Sequence, residues 1–155
     1  MLAGLCRRAA EHGLVVHLEW LPWSKIPDLA TALEIVRKAG APNGGINVDA
    51  WHLVRSGTRL AELAEVAGEL ILGIQIDDGP AEPEANLVEA TLHHRALPGE
   101  GEFDIPGYVE ACQHVGYEGP WGVEVLSEEL RNLPIEDEFK RAYETTAAQF
   151  RAGVT

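Results

Sequence analysis

Basic residues are scarce in this chain: 12 lysines and arginines face 25 aspartates and glutamates, for a formal net charge of −13. A field of that sign repels phosphodiester backbones and anionic lipid surfaces, so neither nucleic acid nor a membrane is an expected partner. Cysteine is nearly absent. Cys6 and Cys112 lie far apart and fit no metal or redox spacing, which argues against a disulfide framework and suits buried thiols in a reducing cytoplasm. No run approaches the ~18 apolar residues needed to span a bilayer. The apolar stretch in Met1 to Ala10 is too short for a secretory signal, and Arg7 and Arg8 fall in the wrong place. With 46% hydrophobic residues over 155 positions, a single globular domain covering 1–155 is expected.

Four apolar stretches each end in a polar residue able to hold a metal. They are Val15 to Glu19, Ile46 to Asp49, Ile74 to Asp77 with Gln75, and Trp121 to Val125 with Glu124. Strand alternation puts His17 and Glu19, Asn47 and Asp49, Gln75 and Asp77, and Gly122 and Glu124 on one face, with Leu18, Val48, Ile74, Ile76, Val123 and Val125 on the other. Helical patterns separate these strands. One follows Asp28 with Leu29, Ala32, Leu33 and Val36 as its stripe and Gly40 as its stop. A second follows Thr58 as N-cap, with Leu60, Leu63, Ala64 and Ala67. A third is capped by Asp104, with Ile105, Tyr108, Val109 and Cys112, and stops at Gly116. A fourth follows Pro134, with Phe139, Ala142, Tyr143 and Thr146 turned inward. Leu2 to His12, closed by Gly13, reads as a further helix ahead of the first strand.

The order is therefore one helix and then four βα units, which predicts parallel strands with polar residues gathered at one mouth. The segment Asp78 to Phe103 is long for a βα connection and rich in proline and glycine; such segments commonly serve as binding loops or lids. Two glutamates, an aspartate and an amide oxygen converging there would suit a hard divalent cation and proton-transfer chemistry. Carboxylates at strand ends also cap helices and pair with arginine, so spacing alone leaves the structural and functional readings level. His17, one layer below Glu19, fits an interior histidine better than a ligand. Asp77 and Asp78 fit supporting or capping roles, and His93 and His94 an exposed loop.

A resemblance tips that balance. His17-Leu18-Glu19-Trp20-Leu21-Pro22-Trp23, Asn47-Val48-Asp49-Ala50-Trp51-His52 with Arg55-Ser56-Gly57, Gln75-Ile76-Asp77-Asp78, Arg95-Ala96-Leu97-Pro98-Gly99-Glu100-Gly101-Glu102 and Gly122-Val123-Glu124-Val125 occur in that order. Together they resemble the second half of the sugar phosphate isomerase/epimerase family, of the xylose isomerase-like TIM barrel superfamily. The resemblance implies an α/β fold, half of a (β/α)8 TIM barrel. It implies one divalent metal held by Glu19, Asp49, Gln75 and Glu124, with Glu19 and Glu124 also moving protons on opposite faces of the substrate. It further implies that His52 and Arg95 contact substrate. Trp20, Trp23 and Trp51 adjoin the ligands and could wall a sugar ring, although three tryptophans in a chain of this size are as often core. Gln75 stands where the family usually has histidine, which favours Mn²⁺ or Mg²⁺ over Zn²⁺.

A complete barrel typically needs ~250 residues. Four strands leave two parallel edges to be covered, either by a second copy in a homodimer or by a complementary half-barrel, unless the chain is a fragment. A dimer would crowd two carboxylate clusters into one mouth. The expected function is a metal-dependent isomerase or epimerase of a ketose or related polyol, a small-molecule carbohydrate. The alternatives are a dehydratase of the inosose or dehydroshikimate type and a non-catalytic half-barrel used for oligomerisation or sugar binding. Endonuclease activity is the weakest, because the chain has neither a histidine-rich zinc cluster nor a basic face.

Overall fold

A computed structural model describes residues 1–152, with side chains described through Phe150. The chain runs α1 (Leu2–Ala10), β1 (Val16–Leu18), α2 (Leu29–Ala39), β2 (Gly44–Asp49), α3 (Ala50–Arg55), α4 (Leu60–Leu63), a single 3-10 turn (Gly68–Leu70), β3 (Ile71–Ile76), α5 (Leu87–His93), α6 (Ile105–His114), β4 (Trp121–Val123), α7 (Glu128–Arg131) and α8 (Ile135–Ala152). The strands form one parallel sheet in the order β1-β2-β3-β4. This is a partial TIM barrel, the α/β architecture expected from the sequence.

Local chemistry explains the boundaries. Asp28 caps α2 by accepting from Thr31 N at 2.8 Å, and Gly40 ends it in the left-handed region at φ 57. Asp104 caps α6 by accepting from Gly107 N at 3.0 Å. The outward side chains Ile46, Val48, Ile74 and Ile76 are buried with Leu33, Val36, Leu53, Leu63, Ile105, Tyr108 and Val109 in one core beneath the helices. Tyr108 reaches across this layer, its hydroxyl lying 3.0 Å from both Val48 O and Gln75 O, so α6 is anchored to the carboxyl ends of β2 and β3.

Some expectations need correcting. Thr58 does not cap a helix. Its Oγ1 pairs with Ser56 Oγ at 2.8 Å, and a short helix begins only at Leu60, with Arg59 at the N-cap position. A helix that the periodicity did not predict, α3, starts directly on β2, because Asp49 Oδ1 accepts from His52 N at 2.9 Å. The 78–103 connection is not wholly irregular, since it contains α5. Phe139 and Tyr143 were expected to face inward but are 68% and 73% exposed. The inner side of α8 is the one that meets α6 and sets Phe150 edge-on to Trp121 at 4.8 Å, leaving Phe139 and Tyr143 beside the unpaired edge of β4. Exposed Leu14 and Val15 mark the other edge, at β1.

Candidate active site

Pairing of Asn47 with Gly73, Asp49 with Gln75, and Gln75 with Gly122 sets the polar residues side by side across the sheet, on the face opposite the core. That face is the concave lumen of the partial barrel. A register shift between Ile46 and Asn47 places one extra residue, Leu72, in β3, and this brings Asp49 level with Gln75. Gly73 leaves room for Asn47, since a Cβ there would collide with the Asn47 Oδ1 atom. Asn47 then spans the site: its Nδ2 donates to Glu19 Oε1 at 2.7 Å and to Gln75 Oε1.

At the centre lies Arg95, 3% exposed. Its Nη1 is 2.9 Å from Asp49 Oδ2, 2.5 Å from Asp77 Oδ2 and 3.4 Å from Glu124 Oε2, and it also donates to Glu124 O at 3.2 Å. The long connection delivers this arginine and is itself folded around Asp78. Asp78 Oδ1 accepts from Gly79 N at 2.7 Å and Phe103 N at 2.9 Å, and Oδ2 accepts from Gly99 N at 2.9 Å.

The electrostatics are those of crowded acids in a poorly solvated place. Burial, reinforced by the Asp49 charge, pushes the Glu19 carboxyl up to about 7. Burial and the same neighbour raise Glu124 as well, and Asp77 is raised well above the usual carboxylate range. His52 moves the other way, pushed down to about 4 by burial and then by Arg95, so its imidazole is neutral at physiological pH.

Ligand atoms of Glu19, Asp49 and His52 all lie within 4.8 Å of one another, close enough to share one cation. His52 Nδ1 is buried with no hydrogen-bond partner, and so is Asp77 Oδ1. Two carboxylates, one neutral imidazole and surplus negative charge fit a divalent ion. Gln75 lies in the same lumen, its Oε1 accepting from Asn47, and Glu124 meets the group through Arg95.

The sequence residues proposed for the site thus fall into two sets. Glu19, Asp49, Gln75, Glu124, His52 and Arg95 are brought together. Trp20 and Trp51, both 0% exposed, present no ring to solvent and so do not form the expected sugar wall. Trp20 Nε1 instead donates to His52 O at 3.2 Å, and Trp51 lies under two arginines, with the Arg55 and Arg95 guanidinium carbons 4.5 and 5.5 Å from its ring centroid. The ring left at the mouth is Trp23, 39% exposed and edge-on to His52 at 5.6 Å between centroids. His17 is on the lumen face but exposed. Asp77, given only a supporting role by the sequence reading, is a direct partner of Arg95. The signal was present, because it is two residues beyond Gln75 on the same strand face. Thr91, which receives the Trp51 indole N–H at 2.7 Å, carried no sequence signal across 40 positions.

Comparison with known proteins shows what the chain is similar to. The family described as xylose isomerase-like TIM barrel matches residues 1–149. The chain belongs to that family. Among relatives in it, a 3-dehydroshikimate dehydratase of Pseudomonas aeruginosa is 31% identical over 134 residues, covering 86% of this chain and 21% of that protein. An inosose isomerase of Bacillus velezensis is 28% identical over 150 residues, covering 96% of this chain and 52% of that protein. The chain therefore spans about half the length of the inosose isomerases and about a fifth of the dehydratases. A crystal structure of the IolI protein with bound zinc superposes with a TM-score of 0.86 at 25% identity, covering 96% of this chain and 53% of the other. The structure of an L-ribulose 3-epimerase shares the fold, with a TM-score of 0.74 at 18% identity.

Proposed function

We propose that this family member is part of a divalent-metal-dependent enzyme that moves a proton at the carbon next to a ketone in a polyhydroxylated, sugar-like substrate, as an isomerase or epimerase. The observation that carries the reading is the glutamate pair. Glu19 and Glu124 stand just past the ends of β1 and β4, around Asp49 and Arg95, and both are held above the ordinary carboxylate range. A glutamate titrating near 7 can both take and give a proton at physiological pH. In this reading Glu124, as carboxylate, removes the proton, and Glu19, in its acid form, returns one from the opposite side. Arg95 and neutral His52 orient the substrate oxygens, and Trp23 offers an apolar edge to the carbon skeleton.

Glu19, Asp49 and His52, joined by Gln75 and Glu124, would hold the cation, with Mn²⁺ or Mg²⁺ ahead of Zn²⁺ for an oxygen-rich set. When bound, it would polarise the substrate carbonyl. The experiment is exchange with deuterated water, read by NMR on an inosose in the presence of Mn²⁺. Glu124→Gln should abolish exchange at the carbon beside the ketone, and exchange at the parental rate would end the proposal.

A second reading, dehydration, is favoured by the 31% identity to a 3-dehydroshikimate dehydratase. The same base would remove the proton while a β-hydroxyl departs as water, protonated by Glu19. Incubation with 3-dehydroshikimate separates the two, because a dehydrated, conjugated product absorbs newly in the ultraviolet and an isomer does not. In either case the open edges at β1 and β4 are the places where the rest of the barrel joins. A half-barrel lacking a second acidic cluster suits this lumen better than a second copy does. Size-exclusion chromatography that shows a stable dimer of this chain alone would reverse that preference.

A further inference from the structure

Arg95 is held from behind as well as from the lumen. Its Nε donates to Thr91 O at 3.2 Å. Its guanidinium lies over the Trp51 ring at 5.5 Å, and the Trp51 Nε1 donates to Thr91 Oγ1 at 2.7 Å. The Thr91 hydroxyl in turn donates to Leu87 O at 2.6 Å, inside α5. These contacts close a ring of three residues, all buried, drawn from α3, from α5 and from the segment that follows α5. Thr91 serves both partners at once, its carbonyl holding the arginine and its hydroxyl holding the indole on which that arginine stacks. Arg55 adds a tie to the loop itself, lying 4.5 Å from the same indole centroid while its Nη2 donates to Pro80 O at 2.7 Å.

We propose that Trp51 and Thr91 are positioning residues for Arg95, which fix its guanidinium against Asp49, Asp77 and Glu124 and thereby let the fold of the 78–103 connection set the charge in the lumen. The proposal rests on reading Arg95 as a group of the active site, and it goes beyond that reading by saying what aims it. An arginine so fixed opposes a cation for Asp49 Oδ2 and Glu124 Oε2, whereas a loosened one opposes it less.

The test uses the whole chain and two readouts, the first independent of metal. Thr91→Val keeps the shape but removes the acceptor of the indole N–H. The Arg95 Nε–H, followed by NMR in EDTA, should then exchange with water about tenfold faster, the scale of one lost hydrogen bond. Thr91→Ser restores the hydroxyl and should restore slow exchange. Trp51→Phe, which keeps a ring but loses the donor, should reproduce the valine result by an independent route. The second readout is Mn²⁺ affinity by calorimetry. Thr91→Val should tighten binding by about threefold to tenfold, and in an Arg95→Gln background the same change should have no effect, as a double-mutant cycle requires if the arginine mediates it. Parental Nε–H exchange in both Thr91→Val and Trp51→Phe overturns the proposal, and so does a Thr91→Val effect on Mn²⁺ that persists without Arg95. Absence of Mn²⁺ binding by the parent chain would count against the proposed metal function, while the exchange measurement would still decide this inference.

Discussion

Arg95→Met is the most informative single change, because it removes the one cation that Asp49, Asp77 and Glu124 share and puts an apolar chain of similar length in its place. Asp49 and Asp77 are both 0% exposed, so water cannot take over the solvation. At the 2.9 Å separation of Nη1 and Asp49 Oδ2, the gross attraction is about 6 kcal/mol at an effective dielectric of 20. Most of that is cancelled by the cost of burying the ions, and the net loss on deleting one partner of such a group is about 3–5 kcal/mol. For a single domain whose whole stability is on the order of 5–15 kcal/mol, this is a large fraction. The assay is urea unfolding followed by far-ultraviolet circular dichroism, in EDTA, at pH 5 and pH 7.

The sign of the pH effect follows from the raised acids. A carboxyl whose folded pKa lies above its unfolded value stabilises the fold while protonated, and that contribution is lost as pH rises through the folded pKa. The positive charge of Arg95 lowers the pKa values of Asp77 and Glu124. Its removal raises both further, so the deficit of Arg95→Met should be greatest at pH 7 and shrink at pH 5. Stability within ~0.5 kcal/mol of the parent, the ordinary range for surface substitutions, or a deficit equal at both pH values, would show that the three acids do not depend on this arginine.

Two further predictions are independent of Arg95. In EDTA the contribution of Glu19 to stability should be lost as pH rises from about 4.5 towards about 7, while His52, pushed down to about 4, adds stability over much of the same rise. Glu19→Gln should therefore shift the slope of the urea midpoint against pH in the positive direction across that window, and an unchanged slope would place the Glu19 carboxyl at its ordinary value. Tyr108→Phe should cost about 1 kcal/mol in the same assay, because the buried Val48 and Gln75 carbonyls lose a hydroxyl donor while the ring keeps its packing. A neutral effect would mean that this hydroxyl does not anchor α6 to the strands.

The parts of this molecule that were legible in its sequence are those governed by short-range periodicity. Alternation along Ile74 to Asp77 assigns Gln75 and Asp77 to the lumen without any knowledge of the neighbouring strands, and Asp28-to-Gly40 and Asp104-to-Gly116 carry their own start and stop chemistry. Two members of the metal-capable group, Glu19 and Asp49, were legible because each closes an apolar strand pattern, whereas His52 lies in α3 and was read from the sequence only as a substrate contact. What could not be read was the use to which buried side chains are put across the fold. Trp51 adjoins Asp49 in sequence and so resembles a sugar-facing ring, yet α3 turns it away beneath Arg95 and Arg55. Thr91 has no local signature at all, since its importance lies in a hydrogen bond to a residue 40 positions earlier. Thr58 looked like an N-cap because threonine favours that position, but its hydroxyl found Ser56 instead. Phe139 and Tyr143 fit a helical stripe, but the side of α8 that packs on α6 leaves both exposed, so periodicity assigned them to the wrong side.

The central claim is that side chains from separate strands converge on one cation site that serves proton transfer. Calorimetric titration of the metal-free chain with Mn²⁺ tests it most directly. The account predicts one ion per chain, with Glu19→Gln and Asp49→Asn each weakening binding by more than about tenfold, at least the effect seen when even the outer partners of metal ligands are lost. No binding, or binding that both variants leave intact, would contradict it.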